Sequence, residues 1–210
     1  MVSERNRILN LIEYVKSLGI EVNYGKNKAR GNKGFFKAKV DNFRIDIAQD
    51  LSDEEALRVL VHEFSHYIHF KHDKTLKSLD FIIQDINNEL WGELITLTVD
   101  AIPKETIKPL FELQNSLMSE IKLLKTNFLN LNILKLQQKQ KYLKKVNAKI
   151  ARINRYYNNA TELFARSIEQ FFINPDAFKI IAPLLSRYYY RFLDEKKDNE
   201  FNEFYSLMLK

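Results

Sequence analysis

His62, Glu63 and His66 are the residues whose types and spacing most directly predict chemistry in this chain. Apolar residues recur around them at helical spacing, so the two histidines fall on one face of a predicted helix, about 6 Å apart. Two imidazoles placed in this way can bind one small cation, and Glu63 can accept a proton from a water molecule beside that cation. The motif therefore predicts a catalytic metal site, with zinc as cofactor and Glu63 as general base.

The helix that carries this motif has its own start signal. Ser52 followed by Glu55 predicts a capping box. The apolar residues after it predict a buried face, made of Val59, Leu60, Val61, Phe64 and Ile68. The alternative interpretation is a buried helix whose histidines are satisfied by hydrogen bonds and bind no metal.

The composition limits both the kind of metal site and the kind of protein. With 210 residues, 45% of them hydrophobic, the chain can bury the core of one domain. The absence of cysteine excludes disulfides and thiolate ligands, so any metal must be held by imidazole and carboxylate. The first residues read as an amphipathic helix and not as a signal peptide, and no apolar run is long enough to span a membrane. We therefore expect a cytoplasmic protein without a membrane partner.

The segments around the motif predict a mostly helical α+β fold. Residues 3–18 read as a helix that ends at Gly19. The basic segment at 25–34 reads as a loop, most simply the solvated tip of a hairpin. Two short strands follow, at 35–40 and 43–48, with a turn at Asp41 and Asn42 between them. Further helices are predicted over residues 76–101, 107–130, 131–157 and 161–172, followed by two short helices that begin near Pro175 and Asp198.

Catalytic zinc needs a third protein ligand, and the remaining histidines are the nearest candidates. His69 is seven residues from His62, roughly 10 Å along a continuous helix, which is too far for a shared ion. His72 completes a spacing that resembles the HExxHxxGxxH motif of metzincins, although His69 stands where that family has glycine.

Three carboxylates beyond the motif are also candidates for the third ligand. Asp85 lies 19 residues after His66, close to the spacing of thermolysin-like enzymes. Glu89 and Glu93 flank Trp91 one turn apart on the predicted helix. The alternative for all three is the polar face of an amphipathic helix.

A later segment, Thr161-Glu162-Leu163-Phe164-Ala165-Arg166-Ser167-Ile168-Glu169, resembles the ELFARAFE signature of metallopeptidase domains from phages and mobile elements. In that gluzincin-like family the signature follows a HEWGH-type helix. The resemblance covers about 50 to 60 residues of this chain and implies that Glu162 is the third zinc ligand. It also implies that Arg166 and Glu169 orient the ligands. Ser65 departs from the family pattern, which has glycine there, and the stretch between the two motifs is unusually long.

The resemblance implies a single zincin-like domain over residues 1–210, with a small N-terminal antiparallel sheet. A basic helical hairpin at 104–158 would be inserted in it as an elaboration. The implied activity is that of a zinc-dependent endopeptidase, whose peptide or protein substrate pairs with an edge strand near residues 43–48. Tyr157, Tyr156 and Arg166 are candidates for stabilising the oxyanion.

Positive charge is concentrated in residues 121–161, which contain ten Lys or Arg residues and no Asp or Glu. Such a surface predicts a nucleic acid or an acidic protein as partner, and the alternative is an ordinary solvated helix face. A second function is therefore a nucleic-acid-associated or protein-interaction module of a phage or mobile element, with a zinc site and no significant protease activity.

Overall fold

The computed structural model describes residues 4–26, 33–39, 42–79, 88–99, 104–126, 133–195 and 199–209. The chain divides into two compact units, one formed by residues 1–98 and 160–210 and the other by residues 99–159. Among the described residues, no helix combines the length and the apolar character needed to cross a membrane.

The first unit begins with helix α1 (Glu4–Ser17) and a three-stranded sheet. Ile8, Leu11, Ile12 and Val15 form the buried stripe of α1, whereas Leu9, another apolar residue of the helix, is exposed. The chain turns after the helix at Gly19, whose φ is +79°. The strands are β1 (Ile20–Lys26), β2 (Gly34–Lys39) and β3 (Asn42–Ala48). Their order in the sheet is β1-β3-β2, so β3 is central and β2 is an edge strand.

The prediction of a purely antiparallel sheet is wrong, because β1 pairs with β3 in parallel while only β2 and β3 are antiparallel. Ile20 and Val22 alternate with polar residues and bury their side chains, which makes this segment a strand directly after α1. Gly25, which was assigned to the loop, is part of β1, and its φ of +86° coincides with a shift in the strand register. The predicted turn residue Asp41 and most of the basic loop, residues 27–32, lie outside the described residues.

Helices α2 (Asp53–His72) and α6 (Ala160–Ile173) form the central helix pair of the first unit. The capping box of Ser52 and Glu55 is present at the start of α2, as predicted. Phe64 and Ile68 of α2 and Phe164 and Ile168 of α6 belong to one hydrophobic core. Since α2 also packs against β2 and β3, its polar residues are held between the sheet and α6.

The remaining helices of this unit are α3 (Asn88–Val99), α7 (Pro175–Ile181), α8 (Pro183–Glu195) and α9 (Glu200–Met208). The predicted helical start at Leu76 is wrong, since Leu76 has a φ of +55° and residues 77–79 form no regular structure. There the Asp73 carboxylate accepts hydrogen bonds from the backbone of Thr75, Lys77 and Ser78, which compete with helix formation. Helix α8 was not predicted as a separate helix.

The second unit is a helical hairpin of α4 (Lys104–Thr126) and α5 (Ile133–Tyr157). Its small core contains Leu117 from α4 and Val146 and Ile150 from α5, flanked by partly buried leucines. Across the pair, the side-chain amide of Gln114 donates a hydrogen bond to Asn147, and Lys139 forms an ion pair with Glu120.

Candidate metal centre

Helix α2 presents His62 and His66 from consecutive turns of one face. Their ring centroids lie 4.9 Å apart and the rings are nearly perpendicular. Because the opposite side of this helix is fixed in the core by Leu60, Phe64 and neighbouring apolar residues, the two imidazoles are held toward α6.

Helix α6 supplies the carboxylate of Glu162 to the same point. Glu162 Oε2 lies 3.6 Å from Nε2 of His62, and Oε1 lies 3.5 Å from Nε2 of His66. One potential ligand atom from each of the three side chains lies within 4.8 Å of the other two. Ligand atoms around a tetrahedral zinc ion are about 3.3 Å apart, given zinc–ligand bonds near 2 Å. The three side chains are therefore close enough to hold one metal ion.

The second nitrogen of each imidazole is also engaged. His62 Nδ1 lies 3.3 Å from Glu169 Oε2, and His66 Nδ1 lies 2.8 Å from the hydroxyl of Thr161. A neutral histidine that donates from Nδ1 has its lone pair on Nε2, the atom that faces Glu162 in both cases. Glu169 was predicted to support the site, whereas Thr161 was missed because it was interpreted only as part of a helix start.

Two arginines complete the set of charges around the carboxylates. Arg166 lies one turn after Glu162 on α6, with its guanidinium 3.6 Å from Glu162 Oε2. Arg58 of α2 reaches within 3.7 Å of Glu169. Glu162 Oε2 is buried and accepts no hydrogen bond from the described residues, which fits an oxygen that is available to a metal ion.

The site is electrostatically polarised. Burial raises the pKa of Glu162, but its contacts with His62 and His66 outweigh burial and hold the pKa far below its ordinary value. Burial lowers the pKa of His62, but its contacts with Glu162 and Glu169 outweigh burial and raise the pKa to about 9. A metal cation can take the place of the His62 proton in this charged pair.

Glu63 stands beside the metal-binding cluster and is not a member of it among the described residues. It is buried, and burial raises the pKa of its carboxyl group, which the charges of His66 and His62 oppose only in part. The backbone of Phe36 in β2 lies beside the carboxylate and also opposes this rise in pKa. A carboxylate with a raised pKa, held next to a cluster that can bind a metal, can accept a proton from a water molecule there.

Gly34 allows β2 to approach this carboxylate. A Cβ atom at residue 34 would lie 2.3 Å from Cγ1 of Val59 and 2.7 Å from Oε1 of Glu63. Both distances are shorter than normal contacts, so a side chain at residue 34 would force Val59, the Glu63 carboxylate or the strand to shift.

The other histidines have different roles. His69 is completely buried, its Nε2 donates to the carbonyl of Ser78, and its ring packs edge-on against Phe164. His72 is exposed near the end of α2, with its ring against Phe192. Neither belongs to the metal-binding cluster of the described residues.

The rival carboxylates are also outside that cluster as far as the structure describes them. The Glu93 carboxylate accepts the backbone N–H groups of Leu184 and Leu185 and so caps the start of α8. Glu89 is exposed on α3, and Asp85 lies outside the described residues. Tyr157 belongs to the second unit, where its ring packs edge-on against Tyr156, so its predicted role at the oxyanion stays a prediction.

Comparisons of the chain with protein-family models, with curated proteins and with solved structures find no match. The arrangement of side chains is therefore the basis for assigning a function.

Proposed function

We propose that this protein is a zinc-dependent endopeptidase of the zincin-like type. The observation that carries the proposal is that the potential metal ligands and the potential general base are different side chains. Two imidazole nitrogens and one Glu162 oxygen converge on one point, while the carboxylate of Glu63 stays outside that set. Two histidines from one helix and a glutamate from a later helix match the ligand set implied by the resemblance to gluzincin-like domains of phages and mobile elements.

The donor set favours zinc over harder cations. Two neutral imidazoles and one carboxylate are typical of catalytic zinc sites, whereas magnesium and calcium prefer sites made entirely of oxygen. Zinc bound there would lower the pKa of a water molecule toward neutrality and polarise the substrate carbonyl.

In this mechanism, one residue of the chain transfers protons and the others position the groups that react. Glu63 accepts a proton from the water as it attacks the peptide carbonyl, and then donates a proton to the leaving amine. Glu169 and Thr161 hold the two imidazoles through Nδ1. Arg166 pairs with Glu162 and is a candidate for contact with the developing oxyanion.

Strand β2 is the expected docking site for an extended substrate. The earlier expectation that substrate pairs near residues 43–48 is wrong, because β3 is bonded on both sides, by β1 and β2. The outer side of β2 lies at the edge of the sheet, and Gly34 and Phe36 of this strand approach Glu63. An extended peptide added to this edge would pass directly beside the general base.

The second candidate function is a metal-binding module that associates with nucleic acid or protein and cleaves nothing. It is favoured by α5, which carries eight Lys or Arg residues and no Asp or Glu. The burial of Glu63 next to the cluster favours the peptidase, because a purely structural metal site has no use for a carboxylate that does not bind the metal.

Peptide cleavage by the Glu63→Gln variant tests the proposal. We expect the zinc-loaded protein to cleave members of a degenerate peptide library, detected by mass spectrometry. Glu63→Gln should bind zinc as tightly as the unaltered protein but cleave about 10² to 10⁴-fold more slowly, because an amide cannot accept the proton. Glu13→Gln, an exposed position on α1, is the matched control and should cleave normally. Equal cleavage by both variants, or no cleavage by the zinc-loaded protein, would contradict the proposed activity.

A further inference from the structure

The charge of this chain is divided unequally between its two units. Residues 99–159 contain twelve Lys or Arg and four Asp or Glu, a net charge of +8, whereas the whole chain has a net charge of +6. The rest of the chain is thus slightly acidic, and the positive charge belongs entirely to the hairpin.

Within the hairpin, the cations of α5 gather on one face. At 100° per residue, six of them cover an arc of about 140° that is opposite to the buried stripe of Leu143, Val146 and Ile150. They are Lys141, Lys144, Lys145, Lys149, Arg152 and Arg155, and all six are exposed. The row extends about 21 Å along the helix. We call these six residues the basic face.

Among its described side chains, the hairpin provides little countercharge for the basic face. Helix α5 contains no acidic residue. The Glu112 and Glu120 carboxylates of α4 pair with Lys108 and Lys139, and neither of these lysines is part of the basic face. The self-repulsion of six neighbouring cations therefore favours binding of an external polyanion.

The chemistry of the basic face distinguishes among polyanions. Between residues 141 and 155, the one uncharged position within this arc is Ala148, while exposed Tyr156 lies within the arc at the end of α5 and exposed Tyr142 lies about 20° outside it. Protein interfaces rely on buried aromatic and apolar anchors, and membrane-surface helices insert an apolar face. A row of cations with no large aliphatic side chain in its arc between residues 141 and 156 is suited to a polymer whose charge is regularly spaced and solvated, as in a phosphodiester backbone, and the tyrosine rings can stack on bases.

We propose that the basic face of α5 binds the phosphodiester backbone of nucleic acid. An α-helix of this width fits the major groove of duplex DNA, which is about 12 Å wide. Asn147 is hydrogen-bonded to Gln114, whereas the exposed Gln137 and Gln138 lie on the same side of α5 about one turn before Lys141. Affinity is expected to come from phosphates and to depend little on base sequence. This proposal is independent of peptidase activity, because it depends on residues of the second unit alone.

Fluorescence anisotropy with short labelled nucleic acids tests the proposal in the full chain. If all six cations contact phosphates, affinity should fall about 10³-fold between about 50 mM and 200 mM salt, a log–log slope near −5. Replacing Lys144, Lys145, Lys149 and Arg152 together by glutamine should reduce the slope to about −2 and weaken binding at least about 10-fold near 50 mM salt. Glutamine and lysine have similar helix propensities, so circular dichroism should show unchanged helicity.

The matched control removes the same total charge from the first unit. It replaces four exposed lysines by glutamine, at Lys16, Lys74, Lys77 and Lys179, and should keep a slope near −5. Duplex DNA, duplex RNA and single-stranded DNA are compared to identify which backbone binds best, and binding to any of them in this pattern supports the proposal. Equal losses in the two variants, no binding to any of the three, or binding to phosphatidylserine vesicles or polyglutamate but not to nucleic acid would overturn it.

Discussion

At the residue scale, each histidine of the site is constrained at both ring nitrogens. The Nε2 atoms of His62 and His66 face Glu162, while their Nδ1 atoms face Glu169 and Thr161. The carboxylate and the hydroxyl thus fix the ring orientations before any ligand arrives, which reduces the entropy lost on binding a metal.

Thr161→Val tests whether this constraint acts on the metal. Valine keeps the shape of threonine but removes the hydroxyl that holds His66 Nδ1. We expect zinc affinity to fall about 10 to 100-fold, as it does when such supporting groups are removed from other zinc sites. The measurement is competition for zinc with a chromophoric chelator. Thr96→Val, on the exposed part of α3, is the control and should leave affinity unchanged. An unchanged affinity in Thr161→Val would show that the hydroxyl has only a packing role.

Sequence alone pointed to His62, His66 and Glu162, which lie together at the candidate site, but not to every residue around them. The i,i+4 spacing of His62 and His66 predicts that they share a face, and a family resemblance points to Glu162. Thr161 has no such signal, because a threonine at the first turn of a helix is common for capping reasons alone. The role of Gly34 depends on how closely β2 approaches α2, and that distance is a property of tertiary packing.

At the element scale, strong local patterns predicted their structures correctly, and non-local pairing was missed. The apolar stripe of α1 and the capping box of α2 are local signals, and both elements formed as predicted. The parallel pairing of β1 with β3 joins residues more than twenty positions apart. The sequence of one short strand does not indicate which strand it will pair with. The central position of β3 was missed for the same reason, because it depends on pairing with both β1 and β2.

Gly34→Ala tests the close approach of β2 to α2 and rests on the proposed peptidase activity. The new Cβ would overlap Val59 and the Glu63 carboxylate, so the strand or the carboxylate must move. A displacement of about 1 Å at a catalytic group costs about 10²-fold in rate, so kcat/KM on a cleaved library peptide should fall by that factor. Zinc affinity should change little, because neither Gly34 nor Glu63 is among the metal-binding residues.

Gly92→Ala is the control for this substitution. Gly92 lies in α3, and an added Cβ would meet no atom within 4 Å. Alanine is the better helix former, so this variant should be at least as stable as the unaltered protein and equally active. Wild-type activity in Gly34→Ala would mean that the edge strand does not position Glu63.

At the scale of the whole molecule, the two units carry different chemistry. Residues 1–98 and 160–210 bring together a motif and a carboxylate that are about a hundred positions apart, whereas residues 99–159 carry the excess positive charge. The hairpin accounts for much of the sequence between the two motif helices, which explains how an unusually long separation is compatible with a compact site. The two proposed activities can therefore be removed separately by substitution.

Zinc titration of the metal-free chain tests the central claim most directly. Isothermal calorimetry should show about one zinc per chain. Glu162→Ala should weaken binding by more than about 100-fold, since even loss of a supporting group costs 10 to 100-fold. Glu89→Ala, an exposed carboxylate on α3, should bind zinc like the unaltered protein. A chain that takes up no zinc, or a Glu162→Ala variant that binds it as tightly as the unaltered protein, would contradict the metal site on which the account depends.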